Sequence, residues 1–287
     1  MLTDDTIILE PFGPQHISGA HRLSKAANWP HREEDWMLFQ SLSRGLAMIE
    51  KGEVVATALT TPFGPVATVN MIIVDERMRG RGLGRKIMSG VMELAAPQEW
   101  RLIATEEGRP LYEKLGFEAY GDVVQHQGIA KAATQCEPLA AGDADGLHLA
   151  APADAGAIAS LDRDASGMDR SGLIEALLSM GQIFVLREAG RITGFAVLRP
   201  FGRGEVLGPV AAADAGEAKR LMSHIISHCE GRFLRVDTTA GTGLSPWLEQ
   251  HGLTLAGGGT AMRLGKAEPV SPTMNARTFA LAAQALG

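Results

Sequence analysis

The sequence predicts a mixed α/β fold in two units of the same element order, each an α+β arrangement around a mixed sheet. Three observations carry this. An apolar run, Val69 to Val74, leads through Arg79-Gly80-Arg81-Gly82-Leu83-Gly84 into a helical pattern from Leu83 to Ala96. Short apolar runs joined by turn residues alternate with helical patterns on either side of it. From about residue 146 a second, weaker cycle repeats the order. At 287 residues and 45% hydrophobic, the chain exceeds one comfortable core and suggests two.

In order, Ile7 to Glu10 reads as a strand and Pro14 to Ala27 as a helix. Glu33 to Ser43 is a second helix carrying Trp36, Met37 and Phe39. Leu46 to Glu50 and Val54 to Thr61 form a hairpin about Lys51-Gly52. After the Gly-rich loop and its helix, Arg101 to Thr105 is a short strand. Pro110 is placed to open a helix and Gly116 to close it. Glu118 to Ala130 reads as a closing strand pair. Residues 131 to 146, with Ala, Gly, Asp and Pro138, read as a linker or as the entry strand of the second unit. There, Asp154 to Asp164 and Ser171 to Met180 are helical. Ile183 to Arg187 and Thr193 to Leu198 are strands about Ala189-Gly190. Then follow a strand at Glu205 to Val210, a helix at Ala215 to Cys229, a strand at Phe233 to Asp237 and a helix at Ser245 to His251. Leu253 to Leu264 reads as a terminal strand pair.

The loop suits a pyrophosphate. Glycines let the backbone come close, and unpaired amides at a helix N-terminus point at the anion. Arg77, Arg79, Arg81, Arg85 and Lys86 add local positive charge. A P-loop is excluded because Gly-Lys-Ser/Thr is absent. A dinucleotide fingerprint is excluded because position 85 is Arg and position 87 is Ile. Asp75 and Glu76 read as a charged turn pairing with Arg77 or Arg79.

The spacing Arg79-x-x-Gly82-x-Gly84 resembles the acetyl-CoA loop of the GNAT superfamily of N-acetyltransferases. Tyr112-Glu113-Lys114-Leu115-Gly116-Phe117 resembles that family's helix ending in Tyr-Glu-Lys-x-Gly-Phe. The resemblance implies two acyl-CoA N-acyltransferase folds in tandem: residues 1–130 with the loop, and 137–287 without it. It implies acetyl-CoA as co-substrate, held by the backbone at Ile72, Ile73 and Val74 and by Arg79, Gly80, Arg81, Gly82, Leu83, Gly84 and Arg85. It also implies Tyr112 near the CoA sulfur, as proton donor to the leaving thiolate. Some relatives carry a Glu early on the strand before the loop. Here Ala67, Thr68 and Asn70 stand there, so the general base is open among Glu33, Asp35, His31, Glu106, His126 and a water relay, with Glu33 carried forward. Trp29 and His31 lie where the family forms its acceptor pocket.

In the second unit, Pro246-Trp247-Leu248-Glu249-Gln250-His251-Gly252 aligns with Pro110 to Gly116, with Leu248 in place of Tyr112. The loop after Val210 has Asp214 and no paired glycines, which is electrostatically wrong for phosphate. Leu161 to Arg170, Gly208-Pro209-Val210-Ala211 and the tail Ala276 to Gly287 resemble the C-terminal domain of tandem GNAT proteins. Asp162, Arg163, Asp169 and Arg170 are read either as capped, bridged helix ends or as part of the acceptor site.

A net charge of -6 argues against bulk nucleic-acid binding. No apolar run reaches membrane-spanning length, and Met1 to Asp5 is acidic where a signal peptide is basic. Cys136 and Cys229 are too few for a disulfide framework, so a cytoplasmic protein is expected. His224 and His228 have zinc spacing without a clear third ligand, so no metal is expected. The expected activity is acetyl transfer from acetyl-CoA to a small-molecule amine by direct attack in a ternary complex, with no nucleic-acid or membrane partner and with a homodimer allowed. An acyl-CoA-binding sensor, or a protein acetyltransferase docking its target on the second unit, are the alternatives.

Overall fold

The computed structural model describes residues 7–132, 136–142, 145–268 and 275–287; the acidic Met1 to Asp5 stretch lies outside them. In the first unit β1 (Ile8–Pro11) leads into α1 (Ile17–Ala26) and α2 (Glu33–Leu42). β2 (Arg44–Glu50) and β3 (Glu53–Phe63) meet at Lys51 and Gly52, with φ of 52° and 80°, a turn whose twist matches that of the strands. β4 (Val66–Val74), α3 (Leu83–Met92), β5 (Glu99–Ala104), α4 (Arg109–Lys114) and β6 (Glu118–Ile129) follow. The second unit repeats the order: β7 (Gly146–Leu149), α5 (Ala155–Ser166), α6 (Ser171–Met180), β8 (Gln182–Glu188), β9 (Arg191–Phe201), β10 (Gly204–Ala212), α7 (Ala215–His228), β11 (Phe233–Thr239), α8 (Ser245–Gln250) and β12 (Thr254–Gly265). The tail adds β13 (Arg277–Ala280). Of the segment 131–146, the described residues hold one isolated bridge, Leu139 to Leu147, and the entry strand β7 begins at its end.

The strands form one continuous mixed sheet in the order β1-β2-β3-β4-β5-β12-β6-β11-β10-β9-β8-β7. The units exchange their last strands. β12 of the second unit pairs with β5 of the first, and β6 of the first pairs with β11 of the second. The closing strand pairs expected at Glu118 to Ala130 and at Leu253 to Leu264 are therefore corrected: each is a single long strand, and the two pair with each other. Gly128 and Gly258 serve close packing. A Cβ at Gly128 would strike the Gly252 carbonyl oxygen, and one at Gly258 the Val123 carbonyl oxygen.

α3 covers one face of the first half-sheet, with Ile87, Met88 and Val91 against Met48, Val69 and Leu102. α7 does the same for the second, with Leu221, Met222 and Ile225 against Ala196, Leu207 and Val236. On the opposite face α1, α2, α5 and α6 share one core, in which Trp36, Phe39 and Leu59 belong to the same cluster as Ile158, Leu177, Val197 and the tail residue Leu286. Burial of apolar area at about 25 cal/mol/Å² thus ties the units into one body.

Asp162 and Arg170, read either as bridged helix ends or as part of an acceptor site, are each 1% exposed and lie inside this shared core. Arg170 donates to Asp162 through Nε (2.9 Å) and Nη2 (2.6 Å), and to the carbonyls of Leu286 and Gly287. The pair anchors the tail, which corrects the acceptor-site reading for a plain cause: buried charges pair with each other. Removing one partner as Asp162→Ala is expected to cost about 3–5 kcal/mol. Scanning calorimetry of the wild type should show one cooperative transition, which this variant moves down as a whole. Two separable transitions would mean that the units fold independently.

Candidate active site

β4 and β5 run parallel and pair only at Val66 to Thr68 with Glu99 to Arg101. Beyond that they part, and a cavity of about 280 Å³ opens between Val69 to Ile72 and Leu102, Ile103 and Thr105. The cause is a bulge in β4: Met71 and Ile72 together oppose one residue of β3, and Met71 sits at φ 49°. A side-chain-bearing residue in the left-handed region costs roughly 1–3 kcal/mol and persists only where its surroundings hold it. Here Thr57 Oγ1 donates to the Met71 carbonyl at 2.8 Å. Of the backbone positions expected to hold pantetheine, Ile72 lines the cavity, Ile73 is buried in the core and Val74 packs near Gly84.

The Gly-rich loop lies between β4 and α3. Gly80 and Gly82 have φ of 76° and 73°, and a Cβ at either would meet nothing within 4 Å. They are glycines for backbone shape, and the space above them is open. Gly82 caps α3 with no side chain, so the first-turn amides at Leu83, Gly84 and Arg85 are left for another acceptor. Arg77 pairs with Asp75 (2.7 Å), Arg79 with Glu107 (3.0 Å) and Arg81 with Glu50 (2.9 Å). Arg77 holds the Asp75 carboxyl down at about 2. The Arg79 pair is exposed on both sides and worth about 0–1 kcal/mol, so a polyanion displaces it cheaply. Among the described residues, Arg85 and Lys86 carry no ion pair.

Tyr112 of α4 is 7% exposed, lines the same cavity and packs edge-on to Phe117 at 6.2 Å. Burial pushes its phenol up to about 12, so it stays a hydroxyl donor at neutral pH. Trp29 and His31 line the cavity as well. The His31 ring stands edge-on to Phe39 and Phe201, at 5.6 Å from each. Burial, then Arg235, push His31 down to about 4, and its Nδ1 has no partner.

The remaining acid and base candidates lie elsewhere. Glu33 is on the surface facing His21 (3.4 Å), because it opens α2 where the chain meets solvent. Asp35 is buried but held by Arg32 (2.9 Å) and the Gly202 amide (3.0 Å). Glu106 is exposed in a turn. His126 bridges Leu253 and Ser245 across the exchanged strands, at 3.0 Å to each. Arg163 and Asp169 are exposed outside the cavity, Asp169 capping Ser171. Among the described residues, no carboxylate lines the cavity. The wall that sequence reasoning missed comes from distant strands: Gln125, Phe201, Arg235 and Gln284. Its one local signal was the tail, which the resemblance had already marked.

The second unit shows the same geometry put out of use. Gly208 and Pro209 oppose one residue of β9, where Met71 and Ile72 stand in the first unit. Pro209 has no N–H to offer. β13 pairs with β10 at Val210 to Ala212, and the Leu281 amide donates to Asp237 of β11 (2.8 Å), so the gap is filled. Asp214 accepts from the amides of Gly216 (2.7 Å) and Glu217 (3.0 Å), supplying α7 with its own anion. Of the two zinc-spaced histidines, His224 is bonded to the Glu137 carbonyl at 2.9 Å and His228 is the last residue of α7.

Comparison with known proteins agrees with this duplication. The acetyltransferase (GNAT) domain family matches residues 43–119, and a second family of the same description matches 158–276. An uncharacterized N-acetyltransferase, YitH of Bacillus subtilis, is 25% identical over 279 residues, covering 95% of this chain and 96% of that one. A putative acetyltransferase from Pyrococcus horikoshii superposes with a TM-score of 0.80 at 18% identity, covering 100% of this chain and 98% of that one. A tandem GNAT protein from the clavulanic acid biosynthesis pathway gives 0.62 at 13% identity, covering 92% and 100%. The chain carries two GNAT acetyltransferase domains in tandem. Among the described residues, no helix is long and apolar enough to cross a membrane.

GNAT domains generally use acetyl-CoA, and the α3 N-terminus, which no side chain caps, is the expected seat of its diphosphate. Gly82→Glu should weaken CoA binding roughly tenfold or more, read by calorimetry, by placing a like charge against the phosphates. Gly82→Ala separates this from the backbone strain of φ 73°. Unchanged affinity in a folded Gly82→Glu protein would move the site elsewhere.

Proposed function

We propose that this tandem GNAT protein transfers the acetyl group of acetyl-CoA to the nitrogen of a small amine, in a ternary complex, at the cavity of the first unit. The observation that carries the reading is the contrast between the two gaps. One opens beside an uncapped helix and a buried tyrosine; the other is filled by β13 and faces a self-capped helix. The second unit then binds no CoA and serves as part of the acceptor wall.

Each step falls to a group already placed. The α3 amides, Arg85 and Lys86 hold the diphosphate. The β4 edge, freed from β5 after Thr68, presents backbone dipoles to the thioester, where fixed donors favour a developing oxyanion. The amine lone pair attacks the carbonyl carbon and the carbon–sulfur bond breaks. The Tyr112 hydroxyl gives its proton to the departing sulfur and is reprotonated from solvent. The proton lost by the amine leaves through water: no carboxylate among the described residues lines the cavity, and His31 cannot keep a proton at neutral pH. His31 is a hydrogen-bonding group here, and the water relay stands in for the base.

Full-length protein with acetyl-CoA and an amine panel, assayed by thiol release, tests the reading; tight CoA binding without thiol release from any amine makes the protein a sensor. Tyr112→Phe keeps the ring and removes the donor, and should lower kcat roughly a hundredfold with CoA affinity little changed. Unchanged kcat, with chemistry rate-limiting, reduces Tyr112 to packing. Log kcat/KM should rise by about one per pH unit up to the free amine's own pKa, with no enzyme inflection between about pH 5 and 8. An inflection there that His31→Gln abolishes would make His31 the base.

A further inference from the structure

The acceptor end of the cavity is bordered by an unbalanced set of charges. Three guanidiniums, Arg32, Arg199 and Arg235, face two carboxylates, Asp35 and Asp237. Arg32 grips Asp35 through Nε (3.2 Å) and Nη2 (2.9 Å). Arg235 grips Asp237 through Nε (2.8 Å) and Nη2 (3.0 Å). Arg199 is 1% exposed and has no carboxylate of its own. It lies 3.8 Å from the already paired Asp35, donates to the Pro200 and Ala282 carbonyls, and leaves its Nε without a partner. Arg199 and Arg235 both lie over the Phe201 ring, at 4.9 and 5.2 Å from its centre, and His31 meets the same ring edge-on. Arginine does not give up its proton in a protein, so one positive charge is left over.

That surplus acts on whatever enters. Burial and Arg235 already suppress a proton on His31, and a bare ammonium beside it meets the same penalty. A ligand that brings its own negative charge removes it. Arg235 is the member of the cluster that lines the cavity. Asp237 takes its Nε and Nη2, so Nη1 is the part of the fork left for a ligand. Two buried acceptors without donors also belong to the cavity walls: the Asn70 Oδ1, whose Nδ2 is spent on Thr61 and Thr68, and the His31 Nδ1. These suit the hydrogens of an amine. About 280 Å³ must also take the acetyl end of the co-substrate, which leaves room for a small molecule.

We infer that the acceptor is an amino-carboxylate: its carboxylate on Arg235, its amine toward the Asn70 oxygen and His31. The inference rests on the acetyl-transfer reading of this cavity. Arg235 and Asn70 are then specificity-determining residues supplied by different units.

The test uses full-length protein and matched pairs, each an α-amino acid and its decarboxylated amine, with acetyl-CoA and thiol release. In parallel, calorimetry compares N-acetyl amino acids with their primary amides, which needs no turnover. The carboxylated partner should be favoured by about tenfold or more in kcat/KM and in affinity. Arg235→Gln should shrink that ratio at least tenfold. Should this variant fail to fold, the wild-type comparison decides alone. Acetylation without preference for the carboxylate overturns the inference and leaves acetyl transfer standing. Tighter binding of N-acetyl amino acids with no amine ever acetylated keeps the anion subsite and removes the transfer reading. An aminoalkyl phosphate preferred over the amino acid of equal length assigns the subsite to phosphate and overturns the carboxylate.

Discussion

Two parallel strands that part leave a row of backbone groups without partners, and such groups must be satisfied by something. The chain contains this situation twice, at β4/β5 and at β10/β11. A bulge opens each gap, and the two are answered differently. The second is closed from within by β13. The first is left to a cavity, and the open N-terminus of α3 stands beside it. The same contrast runs through the helix ends. Asp214 gives α7 the anion that Gly82 leaves for a ligand to bring to α3. Duplication followed by filling of one copy explains both the repeat in the sequence and its asymmetry in chemistry.

Local signals were legible and distant ones were not. The loop could be read because left-handed glycines and a helix start are properties of six consecutive residues. Tyr112 could be read because Pro110 and Gly116 bracket a single short helix. The strand exchange could not. Gly128, Gly258 and Gly259 carry the same letter whether they turn the chain or let backbones touch, and only the partner strand distinguishes the two uses. Asp162 and Arg170 admitted two readings for a related reason. A paired charge looks alike in a cleft and in a core until burial is known, and here Leu286 and Gly287 complete the pair.

The acceptor wall shows the limit most clearly. Gln125, Phe201, Arg235 and Gln284 sit on β6, β9, β11 and the tail, each an unremarkable residue in its own stretch. They converge because β6 crosses to β11 and because the units share the α1, α2, α5, α6 core. Charge balance then has a meaning it lacks in the sequence. A net charge of -6 over the chain coexists with a surplus buried cation beside the cavity.

The tail binds these features into one device. Its register is set in the second unit by Leu281 on the Asp237 carbonyl and by Thr238 Oγ1 on the Phe279 carbonyl (2.8 and 2.6 Å). From there it crosses to the first unit, where Thr68 Oγ1 donates to the Ala285 carbonyl at 3.1 Å. Midway, Gln284 Nε2 donates to Asp237 Oδ1 at 3.0 Å, on the carboxylate that also holds Arg235. The tail that fills the second gap therefore also walls the first cavity, and its Gln284 side chain touches the Arg235–Asp237 ion pair. A group bound at Arg235 competes with Asp237 for the guanidinium, and any shift of Asp237 is felt by Gln284. The strand that fills the second gap and the Gln284 wall of the first cavity are thus parts of one tail.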